Sequence, residues 1–292
     1  MKKDITIGTR ASKLALWQAN HVKALLEEQF QANVTLKKIS TKGDRILDRS
    51  LMDIGGKGLF LKEIEDALLV GEVDIAVHSM KDVPYELPEG LVITAILPRE
   101  NPHDAFVSSR FKAFEDLPND AVIGTTSLRR VEQLKQMNPN LKFKDLRGNV
   151  DTRLAKLQAG EYDAIVLACA GLKRLGLQEH ICQELRIVPA VGQGAVGIEC
   201  REMDDELVKM VSALNDAKTK DCVDLERYFL AQIEGDCKTP VGCHVKQSAD
   251  NPDLYQVSCF YQQEHVFKES SESKKSDVKS LLDTWIQRIK KN

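Results

Sequence analysis

Gly71-Glu72-Val73-Asp74-Ile75-Ala76-Val77 returns later in the chain as Gly160-Glu161-Tyr162-Asp163-Ala164-Ile165-Val166, identical at four of the seven positions. In both copies a glycine ends what precedes it and an aspartate opens a short apolar run. This reads as the end of a helix followed by a buried parallel strand. A second pair of segments repeats in the same order. Ile5-Thr6-Ile7-Gly8-Thr9 matches Ala121-Val122-Ile123-Gly124-Thr125 in pattern, and each passes through a polar loop to a serine, Ser12 or Ser127. The serine is placed to cap a helix. The first helix carries the apolar stripe Leu14, Trp17, Val22, Leu25 and Leu26, and the second carries Leu128, Val131 and Leu134. Strands that alternate with helices predict parallel sheets, here in two related α/β domains.

Hinges are expected at Pro98 to Pro102 and at Pro189 to Gly194. Ala195-Val196-Gly197-Ile198-Glu199 reads as a strand returning to the first sheet, which makes the first domain discontinuous. From about Asp216 the texture changes to a helix with Val223, Leu225, Phe229 and Leu230, strands such as Tyr255 to Tyr261, and an amphipathic helix with Val278, Leu281, Leu282, Trp285 and Ile289. The expected division is 1–98 with 195–214, 102–190, and 216–292. The fold class is α/β: two similar α/β domains, bilobal and resembling periplasmic binding proteins, with a small α+β third domain. Two such lobes joined by crossing segments are expected to form a cleft.

The 292 residues are 42% hydrophobic and 29% charged, the composition of an ordinary globular protein. A net charge of −3 offers no general attraction to nucleic acid or to an anionic membrane. No apolar run approaches membrane-spanning length, and Met1 to Thr6 lacks the apolar core of a signal peptide. Seven cysteines, with no Cys-x-x-Cys, fit reduced thiols in a cytoplasm. Cys169 and Cys200 sit in apolar runs and read as small hydrophobes. No metal site is expected, because Cys237, Cys243 and His244 lack a second ligand pair.

Candidate chemistry gathers where strands end, the edge at which α/β sheets bind ligands. The run Ile75 to Val77 passes into His78-Ser79-Met80-Lys81-Asp82-Val83, and Pro84 stops the strand. A carboxylate there, Asp82, is suited to stabilising a cation or moving a proton, although a solvated turn has the same composition. Arg10, Arg129, Arg130, Arg147, Arg153 and Arg174 each lie at or soon after the end of a strand. Arginine forms bidentate bonds to carboxylates and phosphates, and helix N-termini add N–H donors. A ligand with several acidic groups follows, while the lack of a Gly-x-x-x-x-Gly-Lys-Ser/Thr loop disfavours phosphate. Lys57 and Phe60, in Gly55-Gly56-Lys57-Gly58-Leu59-Phe60, read as a lid. Cys237 sits in the turn-rich Glu234-Gly235-Asp236-Cys237-Lys238-Thr239-Pro240, where Lys238 favours the thiolate.

His78 to Pro84, Gly124 to Arg130, Leu146-Arg147-Gly148-Asn149-Val150 and Glu234 to Cys237 occur in this order, together with Gly8 to Ser12, Gly55 to Phe60 and Pro189 to Ala195. Over residues 5 to 245 the chain resembles the porphobilinogen deaminases, also called hydroxymethylbilane synthases; Asp236 departs from the glycine many of them have. The resemblance implies a dipyrromethane cofactor on Cys237 through a thioether, held by Lys81, Thr125, Ser127, Arg129 and Arg130. It implies that Arg10, Ser12, Arg147, Arg153 and Arg174 bind substrate carboxylates. Four porphobilinogen units would join head to tail with loss of ammonia, Asp82 would stabilise the cationic azafulvene, and hydrolysis would release linear hydroxymethylbilane for heme and other tetrapyrroles. The implied protein is a cytoplasmic transferase, monomeric, with no nucleic-acid or membrane partner. Two rivals remain on the residues alone: a non-catalytic bilobal binding protein for a polycarboxylate, and a cysteine hydrolase, for which no spacing supplies a base near Cys237.

Overall fold

The structure is a computed structural model that describes residues 3–45, 61–233 and 239–291. The chain opens with β1 (Asp4–Thr9), α1 (Lys13–Phe30), β2 (Asn33–Lys38), α2 (Lys42–Arg45), α3 (Lys62–Leu69), β3 (Ile75–Ser79) and β4 (Leu91–Ile96). It continues with β5 (Asp104–Val107), β6 (Val122–Gly124), α4 (Leu128–Met137), β7 (Lys142–Lys144), α5 (Val150–Gln158), β8 (Ala164–Ala168), α6 (Cys169–Arg174) and β9 (Gln183–Leu185). Then follow β10 (Val196–Arg201), α7 (Asp205–Ser212), α8 (Ala217–Gln232), the strands β11 (Val241–Gln247), β12 (Leu254–Gln262) and β13 (Val266–Lys274), and α9 (Val278–Lys291).

Two compact units result, 1–100 with 195–221 and 101–194 with 222–292. The first contains a five-stranded sheet in the order β2-β1-β3-β10-β4, and the second one in the order β7-β6-β8-β5-β9. In each sheet the first three strands are parallel and the fourth runs antiparallel to both neighbours. In the first sheet that fourth strand is β10, the returning segment expected from Ala195 to Glu199. A three-stranded antiparallel sheet, β11-β12-β13, groups with the second unit.

The repeated heptapeptide has one structural role in both sheets. Gly71 and Gly160 stand just past α3 and α5 with φ of +74° and +77°, the left-handed conformation in which glycine closes a helix. Their amides donate to Leu68 O and Leu157 O. The aspartates then tie the new strand to the old one. Asp74 N donates to Thr6 O, and Asp74 Oδ2 accepts from Thr6 N at 2.8 Å. Asp163 repeats both bonds with Val122, the carboxylate bond being 2.7 Å.

Apolar residues of each sheet are removed from water. Ile5, Ile7, Val77 and Ile198 of the first sheet pack with Val22 and Leu26 of α1. Phe106, Ile123 and Val166 of the second sheet pack with Leu134. Tyr255, Val257 and Cys259 pack with Phe229 and Trp285 in the third. Each such side chain contributes about 1.5–3 kcal/mol by burial. The helix faces differ from the expected stripes. In α1 the buried residues are Gln18, Ala19, Val22 and Leu26, and Trp17 is exposed and stacked on His21. In α4 the buried residues are Arg129, Arg130, Gln133 and Leu134, so its inward face is largely polar.

Candidate active site

In the first unit the candidate residues lie at the ends of β1 and β3. Ser12 caps α1, its Oγ accepting from Ala15 N at 3.3 Å, and half-buried Arg10 precedes it. Gln18 reaches across from α1, its Nε2 donating to Ser79 Oγ at 2.8 Å, and so holds the end of β3. The chain then makes a short 3-10 turn, Met80–Asp82. Buried Met80 anchors it, with its amide on Ala195 O at 3.0 Å, and Val83 N closes it on Met80 O. Lys81 and Asp82 are exposed at its tip. Gly197, on β10, makes room for the anchor, since a Cβ there would lie 2.2 Å from Met80 Sδ. The turn is therefore built from inside, and the Asp82 carboxylate faces solvent.

In the second unit the residues cluster at the start of α4. Thr125, buried at the end of β6, accepts from Ser127 N at 3.2 Å. Ser127 occupies the cap position of α4, but its hydroxyl makes no capping bond. Arg129 and Arg130 turn inward to Asp104, the first residue of β5. Arg129 Nη1 donates to Asp104 Oδ2 and to Val188 O, both at 2.7 Å. Arg130 donates to Asp104 Oδ1 through Nε and Nη2, at 2.9 and 2.7 Å, and to Val166 O through Nη1. Gln193 Nε2 adds a bond to Asp104 Oδ1 at 3.1 Å. Burial opposes the charge on Asp104, but the two guanidiniums overturn that penalty and hold its carboxyl well below the usual range.

Arg129 and Arg130, expected from the sequence to hold a ligand, each also serve a buried carboxylate, and all three nitrogens of the Arg130 fork are engaged. The strand-end position of Arg174 needs correction. β8 ends at Ala168, and Arg174 closes α6, where its Nη2 donates to Gly194 O at 2.7 Å. Arg147 is half-buried after β7, with Asp145 Oδ2 at 3.7 Å, and Arg153 Nε donates to Gly148 O at 2.7 Å. Cys237, Lys57 and Phe60 lie outside the described residues. The strand that follows Cys237 does approach this cluster, because a Cβ on Gly242 would sit 3.1 Å from Arg129 Cδ and 2.7 Å from Pro189 O.

Sequence reasoning missed Asp104, Gln193 and the buried His78–Glu199 pair, whose Nε2 and Oε2 are 2.9 Å apart. A signal existed for the two acids, since each is a lone charge heading or interrupting an apolar strand. Cys169 and Cys200 are buried as expected, and burial pushes the Cys169 thiol up to about 12, which makes it a poor nucleophile.

Comparison with known proteins gives a sequence-family match over residues 5–209, to "Porphobilinogen deaminase, dipyromethane cofactor binding domain". The chain is 53% identical over 252 residues to the porphobilinogen deaminase of a Nitratiruptor species, covering 85% of this chain and 80% of that one. It is 54% identical over 245 residues to that of Vesicomyosocius okutanii, covering 82% and 81%. Among solved structures it is similar to a periplasmic substrate-binding protein of an ABC transporter from Coxiella burnetii, at 17% identity and a TM-score of 0.47, covering 74% of this chain and 93% of that one. It is also similar to a nutrient binding protein from Burkholderia cenocepacia, at 19% identity and a TM-score of 0.46, covering 74% and 94%.

Proposed function

Because the chain belongs to the porphobilinogen deaminase family, we propose residue roles for a reaction in which Asp82 stabilises the cation formed from porphobilinogen while arginines hold the ligand carboxylates. The protein is an enzyme of tetrapyrrole synthesis, its cofactor is dipyrromethane, and its substrate is porphobilinogen. Family membership displaces the two rivals, the binding protein and the cysteine hydrolase. We assign it to the transferases and to the cytoplasm, acting as a monomer without nucleic-acid partners, in three domains divided as expected from sequence. Among the described residues no helix is long and apolar enough to cross a membrane.

The donor set suits the cofactor's chemistry. A dipyrromethane made from two porphobilinogen units carries acetate and propionate groups, which call for several cations and hydroxyls. The approach of Gly242 to Arg129 carries this reading, because it leads the strand after Cys237 to the helix that bears Thr125, Ser127, Arg129 and Arg130 at its start. When bound, the dipyrromethane supplies a free pyrrole α-carbon as nucleophile. Cys237 would hold it through sulfur. Ser127, with its hydroxyl not spent on capping, and Thr125 would receive its polar groups along with Lys81. Arg129 and Arg130 would act on it as a pair whose charge is partly offset by Asp104.

Substrate carboxylates fall to Arg10, Ser12, Arg147, Arg153 and Arg174, with Ser12 dividing its hydroxyl between cap and ligand. Loss of ammonia from porphobilinogen leaves a cationic azafulvene. Exposed Asp82 accepts pyrrole N–H groups and opposes that charge. One charge pair at about 4 Å and an effective dielectric near 20 is worth about 4 kcal/mol, roughly a thousandfold in rate. Lys57 and Phe60 remain the proposed lid.

The test is Asp82→Asn. Asn keeps an acceptor and loses the charge, and the turn is anchored by Met80 rather than by Asp82. Porphobilinogen consumption is expected to fall by about a thousandfold. The adduct mass on the Cys237 peptide and the melting temperature should persist. Turnover within a few-fold of the parent would show that Asp82 does not stabilise the cation.

A further inference from the structure

A buried acid cluster lies beneath the strand end that carries Asp82, and no step of the reaction accounts for it. Glu65 comes from α3, His78 from β3 and Glu199 from β10, with exposures of 7%, 6% and 0%. His78 Nε2 meets Glu199 Oε2 at 2.9 Å. Among the described residues the other oxygen of Glu199, Oε1, has no hydrogen-bond partner, and neither has Oε1 of Glu65. Buried polar atoms are rarely left so, and two buried carboxylates close together rarely both stay ionised. A single shared proton removes one of the like charges and provides the O–H donor that these oxygens lack.

The charges around Glu65 agree with a proton held there. Burial and the charge of Glu199, with a smaller contribution from Asp66, push it up to about 7, against the opposing pull of His78 and Lys62. Lys62 and Asp66 lie on its own helix, His78 faces it from β3, and Glu199 from β10. Glu63, also on α3, accepts from Lys42 N.

The cluster is joined to the Asp82 turn through the strands. His78 pairs with Gly197, and Ser79 with Val196, in the β3–β10 ladder. Gly197 seats Met80, and the register of β10 against β4 shifts between Ile198 and Glu199. We propose that Glu65, His78 and Glu199 share protons as a buried cluster that fixes the β3–β10 pair and supports the Asp82 turn electrostatically, making them positioning residues for the chemistry at Asp82. This rests on the reading of Asp82 as the cation stabiliser. When Glu65 ionises, a second negative charge appears under a turn that must attract a cation, so turnover rises as pH passes upward through about 7. Stability moves the other way. A carboxyl whose folded value is raised contributes fully below its ordinary value of 4.5, and that contribution is lost as pH rises through about 7.

The experiment uses the holoenzyme and reads infrared absorption of protonated carboxyl groups, melting temperature and turnover across this pH range. The parent should show a carboxylic-acid carbonyl band that titrates near pH 7 and is absent from Glu65→Gln. Glu65→Gln should also lose the fall in melting temperature, and should lack the several-fold rise in kcat with KM unchanged. If that variant does not fold, Glu199→Gln serves instead, since removing the like charge should move the band's titration to lower pH. A parent without the band, or a Glu65→Gln enzyme with the parental kcat profile, overturns the proposal, as does an unmoved titration in Glu199→Gln. Should the band behave as expected while Asp82→Asn turns over normally, the cluster stands and the role of Asp82 is what fails.

Discussion

Asp104→Asn should destabilise the second unit severely, and the size of the effect can be worked from the bonds on that carboxylate. Asp104 is fully buried and accepts from Arg129 Nη1, from Arg130 Nε and Nη2, and from Gln193 Nε2. Asparagine fills the same volume, but it removes the counter-charge of two buried cations and turns an N–H donor toward guanidinium donors. Removing one partner of a buried ion pair costs about 3–5 kcal/mol. At about 2–4 °C per kcal/mol for a protein of this size, the melting temperature should drop by roughly 6–20 °C. Circular dichroism melts of parent and variant at neutral pH measure it. The pH dependence supplies an internal check. Because the Asp104 carboxyl is depressed in the folded state, its contribution is complete above the ordinary value of 3.8 and is lost as pH falls below it. The gap between parent and variant should therefore hold through neutral pH and close only in strong acid. A variant melting within about 3 °C of the parent at neutral pH would refute the cluster as a stabilising element, given that scale. The same reasoning governs Arg130→Leu. Any loss of cofactor from that protein includes the cost of removing one of the two guanidiniums that hold Asp104, so its melting temperature is read beside its cofactor content.

Two glycine substitutions test the supports of the site. Gly197→Ala puts a methyl 2.2 Å from Met80 Sδ and should shift the Asp82 turn, costing about 1–3 kcal/mol and lowering turnover more than cofactor content; adding Met80→Ala should restore part of the turnover. Gly242→Ala meets Pro189 O at 2.7 Å and Val188 O at 2.9 Å, backbone atoms with little freedom to move, so melting temperature and the fraction of chains carrying the adduct mass should fall together, by about 1–3 kcal/mol in stability.

What the sequence discloses here are the features built from local interactions. The glycine and aspartate of the repeated heptapeptide each act within a helix end and its next strand, so the repeat betrays two sheets of one topology. Ser12 is a legible cap because its partner, Ala15 N, is three residues away. Its counterpart Ser127 stands at the cap position, but its hydroxyl makes no capping bond, and it is Thr125 Oγ1 that accepts from the Ser127 amide. The inward face of α4 is illegible from α4 alone. Arg129 and Arg130 look like a solvated or ligand-binding pair until Asp104, on a different strand of the sheet, is placed beneath them. Residue type does not settle α1 either, where Gln18 is buried by its bond to Ser79 while Trp17 remains exposed.

The more useful signal is a charge in a setting that should exclude it. Glu199 interrupts Val196 to Cys200, and Asp104 heads Ala105 to Val107, both in strands that are otherwise almost wholly apolar. A buried charge is tolerated only with a partner, so each acid predicts an unseen cation or shared proton. For Asp104 the partners are two guanidiniums, and its charge is secure. For Glu199 the imidazole of His78 is the partner of one oxygen, the other having none among the described residues, and burial and the Glu199 charge push the Glu65 carboxyl up to about 7. The two sheets share a strand order, but their buried acids differ in their surroundings: Asp104 is held by two arginines, while Glu199 is bound by one imidazole and shares its surroundings with Glu65, whose carboxyl burial pushes up to about 7.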